Sequence, residues 1–142
     1  MLKPGIYRKG KVDLLDALSG ILRSNLSEEI GALLVFIGVA RRKGKGGKEV
    51  VKLEMESYEK HANYAIVKIC DEVKKEFGVQ FVSIHHLIGE FQAGEPIVLV
   101  VVGGAKRKSV FSAMKASVER YKTEPALFKK EIYLDGSHEW VH

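Results

Sequence analysis

The run from Ile97 to Val102 is the feature that most limits how this chain can fold. It holds six consecutive apolar residues, four of them valine. β-Branched residues favour strands, and a run that is apolar at every position is typical of a strand buried on both faces. The run is far too short to cross a membrane as a helix. We therefore predict a central, doubly buried strand here.

Three helical patterns surround this strand. The clearest runs from Lys60 to Phe77, with apolar residues at helical spacing and Gly78 at the position of a C-terminal cap. A shorter pattern covers residues 12–22. The third covers about residues 106–122 and ends before Pro125, because proline cannot continue a helix. Its predicted inward face comprises Val110, Phe111, Met114, Val118 and Tyr121.

The remaining elements are predicted strands. The apolar run 31–39 predicts a buried strand, and residues 50–55, 79–88 and 128–134 predict three more. The order is a leading helix followed by β-β-α-β-β-α-β, which indicates an α+β two-layer domain around a largely antiparallel sheet. No linker or repeat interrupts the pattern, so residues 1–142 are predicted to form a single domain.

Composition excludes several classes of protein. Of 142 residues, 46% are hydrophobic and 29% charged, which is typical of a globular chain rather than a disordered one. No apolar segment follows the basic start, so no secretory signal is predicted and a cytoplasmic location is expected. The single cysteine, Cys70, lies in a helical pattern and is expected to be buried. A net charge of +5 favours anionic partners without choosing among them.

Most catalytic motifs are absent. The chain has neither a phosphate-binding loop motif nor the dinucleotide fingerprint, and no serine lies in a hydrolase elbow. His85 and His86 are adjacent in a predicted strand, so they point to opposite faces, and no metal site is predicted. The loop from Arg41 to Lys48 has five cations and three glycines but no aromatic residue. It is predicted to be mobile, and it leaves open a basic nucleic-acid-binding domain as an alternative.

Basic residues near the predicted element ends point to a site for an anion. Lys106 and Arg107 stand at a helix start, where cations oppose the helix dipole unless an anion joins them. Lys122 closes that helix, and Lys129 enters the last strand. If these lysines lie near each other or near Arg41, their charged forms are destabilised, and either can act as acid, base or nucleophile.

Several blocks in one order resemble the large, catalytic subunit of molybdopterin synthase. The likeness runs from about Gly31 to Glu131. Its blocks are Phe36-Ile37-Gly38-Val39-Ala40-Arg41, Leu53-Glu54-Met55-Glu56-Ser57-Tyr58, His86-Leu87-Ile88-Gly89-Glu90, Gly94-Glu95, and Lys122 through Lys129-Lys130-Glu131.

The resemblance implies a fold and a reaction. The fold is an α/β hammerhead. The enzyme transfers sulfur, without a metal or other cofactor, from the thiocarboxylated Gly-Gly tail of a small ubiquitin-like subunit to cyclic pyranopterin monophosphate. The product is the dithiolene of molybdopterin, in molybdenum cofactor biosynthesis. The assembly implied is a homodimer of large subunits with a small subunit at each end, a heterotetramer.

The resemblance also implies roles for single residues. Lys122 and Lys129 match the catalytic lysines, and Arg41 matches the loop arginine. The family's His-Arg pair before the second long helix falls on Lys106-Arg107, and its other His-Arg pair falls on His86-Leu87, so His86 is a further candidate for substrate binding. The tryptophan usual before the second lysine is Phe128, which keeps an aromatic wall. These departures leave open an inactive relative of the subunit as a second alternative.

Overall fold

The computed structural model describes residues 1–24 and 26–141. Within them lie three α-helices and seven β-strands. The helices are α1 (Leu14–Arg23), α2 (Glu59–Phe77) and α3 (Arg107–Thr123). The strands are β1 (Gly5–Arg8), β2 (Ala32–Val39), β3 (Val50–Ser57), β4 (Phe81–Phe91), β5 (Pro96–Gly104), β6 (Leu127–Tyr133) and β7 (His138–Val141).

All seven strands belong to one sheet, with β2-β5-β4-β3-β6-β7 as its spatial order and β1 paired to β4. Only the β1–β4 pair is parallel. The first part of β4, Phe81 to His86, pairs with β5, whereas its last residues, Gly89 to Phe91, pair with β3. The long strand β4 therefore joins a helix-covered part of the sheet to the smaller β3-β6-β7 part.

The predicted central strand is confirmed as β5. All its residues after Pro96 are buried, and both α1 and α3 contact it. Gly103 and Gly104 end β5 where space is tight: a methyl group on Gly104 would lie 2.9 Å from Val110 of α3 and 3.0 Å from Val79. Gly104 thus lets α3 start close against the sheet, which fixes the position of Lys106 and Arg107.

The helices follow the predicted patterns. In α2, Ala62, Ile66 and Ile69 are fully buried, and Gly78 caps the helix in the left-handed conformation (φ 64°). Asp13 caps α1 through the backbone N–H groups of Leu15 and Asp16. Cys70 is buried as expected, and burial raises the pKa of its thiol to about 12.

Three details differ from the sequence prediction. Strands β1 and β7 are additional, because runs of four residues are too short to show a clear period. Strand β2 is an edge strand rather than a buried one, and its exposed side chains Val35, Ile37 and Val39 alternate with partly buried neighbours. Phe111 is exposed, whereas the buried face of α3 includes Ala113 and Ser117.

The α2 face predicts a simple stability contrast. Ile69→Ala should lower the free energy of unfolding by about 2–5 kcal/mol, because a fully buried side chain is truncated and a cavity remains. Val67→Ala is the matched control on the same helix, since Val67 is 44% exposed. Urea denaturation of both variants checks this, and equal losses would contradict the packing described.

Candidate functional site

Lys129 lies near the middle of β6, opposite Met55 of β3 and Val141 of β7. It is partly buried, and this desolvation lowers the pKa of its ammonium group. Glu131 acts in the opposite direction and raises the pKa, while Arg41 and Lys122 lower it further. Among the lysines of the described residues, this is the one whose pKa is shifted downward, as expected of a lysine prepared for proton transfer.

Arg41 reaches this lysine from the end of β2. The preceding residue, Ala40, is buried and its backbone is tied to the β4–β5 turn: its N–H donates to the carbonyl of Glu95 (2.9 Å), and its carbonyl accepts from Gly94 (2.7 Å). These bonds fix the point where the chain leaves the sheet. The exposed guanidinium of Arg41 is therefore held at the edge of the lysine site.

Lys122 comes from the last turn of α3. The preceding Arg120 holds this end of the helix to α2, with 2.6 Å between its Nη2 and Glu72 Oε1. Tyr121 is buried, with its ring centroid 5.6 Å from that of His86. Lys122 is exposed and close enough to Lys129 for its charge to lower the pKa of that lysine. The three cations Arg41, Lys122 and Lys129 form what we call the lysine site.

Glu131 completes the surroundings of Lys129, and sequence reasoning gave it no role. It lies two residues beyond Lys129, on the same face of β6, and is only 6% exposed. Its carboxylate accepts a hydrogen bond from the backbone N–H of Lys45 (3.0 Å) and another from the Tyr133 hydroxyl (2.9 Å). The signal in the sequence was the spacing: an acidic residue at i+2 from a lysine on a strand.

The loop from Arg41 to Lys48 is thus seated on the sheet. A 3-10 turn covers Lys45–Gly47, and the carbonyl of Arg42 accepts a 2.7 Å bond from Val50. The sequence predicts a mobile loop, whereas its backbone is hydrogen-bonded to Glu131, 86 residues away in sequence. No local pattern could have shown it.

Lys106 and Arg107 do not join the lysine site within one chain. They lie at the start of α3, and Lys122 lies at its end. At 1.5 Å of rise per residue, the fifteen residues from Arg107 to Lys122 span roughly 22 Å along the helix axis. The helix-start cations and the lysine site therefore occupy opposite ends of α3.

His86 is also separated from the exposed cations. Its ring is 2% exposed, with Nδ1 2.8 Å from the carbonyl of Leu87, and burial lowers its pKa to about 4. It packs beneath Tyr121, next to Lys122 in sequence. The structure places His86 as a buried, neutral ring beneath the end of α3.

Phe128 does not form the expected aromatic wall beside Lys129. Neighbouring residues of a strand point to opposite faces, so Phe128 lies on the other side of β6. There it meets Tyr58 edge-on, with ring centroids 5.3 Å apart. Lys130 occupies the same face as Phe128 and contacts Glu54 (3.7 Å) and the ring of Trp140 (5.7 Å).

Within residues 1–24 and 26–141, no group of three or more histidine, cysteine or acidic side chains is placed to hold a metal ion. No helix there has both the length and the hydropathy needed to cross a membrane.

Fold and site together define a class of protein. It is a mixed α/β protein with a largely antiparallel sheet, in which one half-buried lysine lies between two exposed cations and a buried carboxylate. Such a site suits an anionic reactant whose charge changes during reaction.

Comparison with known proteins identifies the family. The family model described as MoaE protein matches residues 9–124. The molybdopterin synthase catalytic subunit of Bacillus subtilis (strain 168) is 33% identical over 121 residues, which cover 85% of this chain and 76% of the relative. The crystal structure of molybdopterin synthase from Staphylococcus aureus superposes with a TM-score of 0.85 at 28% identity, covering 100% of this chain and 98% of that one.

A fourth likeness concerns the fold alone. The complex of subunits 1 and 2 of the molybdopterin-converting factor from Helicobacter pylori contains a chain with a TM-score of 0.74 at 21% identity, covering 96% of this chain and 88% of that one. Taken together, these findings show that the chain belongs to the MoaE protein family, the catalytic subunits of molybdopterin synthase. The family, enzyme class and fold class predicted from the sequence are confirmed.

The charges around Lys129 make its pKa a measurable test of the site. Arg41→Gln should raise the pKa of Lys129, because a cation that opposes protonation is removed. Arg42→Gln, which removes a neighbouring cation lying 3.8 Å from Glu49, is the matched control and should have little effect. Competitive acylation of lysines at different pH values, read by mass spectrometry, gives the midpoint for Lys129. An unchanged midpoint in Arg41→Gln would show that Arg41 does not face this lysine.

Proposed function

We propose that this protein transfers sulfur from the C-terminal thiocarboxylate of a small ubiquitin-like carrier to cyclic pyranopterin monophosphate, forming the dithiolene of molybdopterin. The observation that carries the proposal is the lysine site: a desolvated ammonium at Lys129, with Lys122 and Arg41 beside it. Both reactants are anions, so a site made of cations binds them and stabilises the charge that moves between them. Membership of the MoaE protein family supports this assignment.

Each transfer requires control of protons and of negative charge. The carrier sulfur attacks a substrate carbon, a carbon–sulfur bond forms, and an oxygen leaving group departs. Water then cleaves the acyl–sulfur bond, which leaves sulfur on the substrate and a carboxylate on the carrier. In the proposed reaction, Lys129, whose lowered pKa makes it a ready proton donor, protonates the leaving oxygen, and Lys122 stabilises the developing charge. The chemistry needs no metal among the protein groups.

The small partner is proposed from relatives rather than from this chain. The Helicobacter pylori neighbour was solved as a complex of two subunits of a converting factor. The lysine site is open to such a partner, because Arg41 and Lys122 are both exposed. An extended Gly-Gly tail has no side chains, so it can lie close to Lys129 without a steric conflict.

A second copy of this chain is needed to bring Lys106 and Arg107 to the reaction. Strand β2 is an edge strand, and its row of Val35, Ile37 and Val39 is 37–51% exposed. An exposed apolar edge strand favours pairing with another strand. We propose that two copies pair their β2 strands antiparallel about a two-fold axis, which gives an isologous homodimer.

This arrangement has a direct consequence for the site. Ala32, at the start of β2, pairs with Gly104, and Lys106 follows shortly after. Antiparallel pairing places the end of one β2, which leads to Arg41, beside the start of the other. The substrate phosphate would thus be held by Arg41 of one copy and by Lys106 and Arg107 of the other. Dimerisation would thus bring together two groups of cations that lie roughly 22 Å apart along α3 within one copy.

Two further assignments complete the proposal. We place the enzyme in the cytoplasm, in keeping with a single cysteine, Cys70, that is buried and has no partner for a disulfide. Residues 1–142 are proposed to act as one domain, since one hydrophobic core includes buried residues from α1, α2, α3 and the sheet.

The role of Lys129 predicts a large loss of activity without loss of fold. Lys129→Ala should remove nearly all molybdopterin formation in an assay with purified precursor and thiocarboxylated carrier, because the proton donor at the reacting atoms is gone. Lys130→Ala, on the other face of β6, is the matched control and should keep most activity. Circular dichroism confirms folding. Wild-type turnover by Lys129→Ala would refute its catalytic role, and inactivity of the wild-type protein would indicate an inactive relative.

The shared site predicts complementation between two defective chains. Arg107→Ala alone should raise the apparent KM for the precursor, because a phosphate contact is lost. When Arg107→Ala and Lys129→Ala chains are unfolded, mixed in equal amounts and refolded, half of the dimers are mixed. Each mixed dimer has one intact site, so about a quarter of the wild-type activity should return at low precursor. If both residues served the same copy, mixing would restore nothing.

A further inference from the structure

We infer that Glu131 is a positioning residue that performs two tasks for the proposed reaction: it seats the loop carrying Arg41 against the lysine site, and it places a carboxylate on the face of β6 that carries Lys129. This inference rests on the proposed function. It extends it to a residue that touches neither substrate nor the reacting atoms. Among the described residues, the charged groups that face Lys129 are Arg41 after β2, Lys122 on α3 and Glu131 on β6.

The seating of the loop depends on close contact. Glu131 Oε1 receives both the Lys45 N–H (3.0 Å) and the Tyr133 hydroxyl (2.9 Å). Gly44 lies directly against this carboxylate, because a methyl group on Gly44 would come within 2.7 Å of Oε1 and 2.5 Å of Val50. The backbone of the loop can therefore approach Glu131 only if residue 44 has no side chain.

The carboxylate is itself held firmly. Tyr133 is 2% exposed, and its hydroxyl also lies 3.5 Å from Glu139 of β7, so it is directed between the two acids. Lys48 lies over the Tyr133 ring, with its Nζ 5.0 Å from the centroid. Glu131 is thus buried, doubly hydrogen-bonded and fixed on the face that carries Lys129, which is the arrangement of a group that positions others.

The electrostatic task has a definite sign. Desolvation, Arg41 and Lys122 each lower the pKa of Lys129, and Glu131 raises it. Without the carboxylate, Lys129 would lose its proton at lower pH, and a smaller fraction of it would be available as ammonium to protonate the oxygen leaving group. The two cations that would bind anions therefore lower the pKa of Lys129, and the one carboxylate raises it and keeps the ammonium charged.

Two substitutions separate the tasks. Glu131→Gln keeps an oxygen acceptor for Lys45 and Tyr133 but removes the charge. Gly44→Ala keeps the charge but displaces the loop. Glu54→Gln, which removes a carboxylate contacting Lys130 on the opposite face, and Gly20→Ala, where a methyl group meets nothing within 4 Å, are the matched controls.

The experiment measures the labelling midpoint of Lys129 and the turnover of the carrier-loaded enzyme for all four variants. Glu131→Gln should shift both the Lys129 midpoint and the limb of the pH–activity profile that it controls to lower pH. Gly44→Ala should raise the apparent KM for the precursor severalfold without that downward shift, and the controls should match the wild type. An unchanged or raised midpoint in Glu131→Gln, or a downward shift in Gly44→Ala, overturns the inference.

The labelling measurement needs no turnover, so it tests the effect of Glu131 on Lys129 separately from the proposed reaction. If the midpoint falls in Glu131→Gln but the pH–activity profile does not move, Glu131 controls Lys129 and the proposed role of Lys129 is wrong. If Gly44→Ala does not fold, the Lys129 midpoint in Glu131→Gln still tests the inference, because glutamine preserves the hydrogen bonds that hold the loop.

Discussion

The burial of β5 on both faces is the constraint on which the rest of this structure depends. A strand of branched apolar residues is stable only when both faces are covered, and here α1 and α3 contact it while β2 and β4 pair with its edges. Once β5 is fixed, Gly104 lets α3 begin close against the sheet, and the length of α3 fixes how far Lys122 lies from Lys106. The separation of the cations into two groups thus follows from the packing of the core.

The lysine site shows how a β-sheet can lower the pKa of a lysine ammonium group. A lysine on an exposed surface keeps its ordinary pKa, and a fully buried one loses its charge altogether. Lys129 lies between these limits because β6 belongs to the small β3-β6-β7 part of the sheet, where helices do not cover the strands. Partial burial and two neighbouring cations lower the pKa of Lys129, and a single carboxylate limits that decrease.

Much of this could be predicted from sequence, and the omissions have physical causes. Apolar periodicity identified α1, α2 and α3, because burial of one face imposes a period, and an unbroken apolar run identified β5, because both of its faces are buried. It did not show that β2 is an edge strand, because an apolar run looks the same whether a strand or solvent lies beside it. Lys122, Lys129 and Arg41 were proposed together from the family resemblance, and the structure does bring them together. Lys106 and Arg107 were grouped with them because linear order says nothing about the two ends of a helix.

The contact between the basic loop and Glu131 could not be predicted from residues that are close together in sequence. A loop with five cations cannot be fixed by apolar burial of its side chains, because burial would remove those cations from solvent. Its backbone, however, has N–H groups that carry no such conflict. A buried carboxylate on a neighbouring strand can accept a hydrogen bond from one of these N–H groups while the cationic side chains stay exposed, provided that a glycine permits close approach. The group that holds the loop, Glu131, belongs to the rigid sheet and is therefore far from the loop in sequence. The strand that carries Glu131 is also the one that carries Lys129.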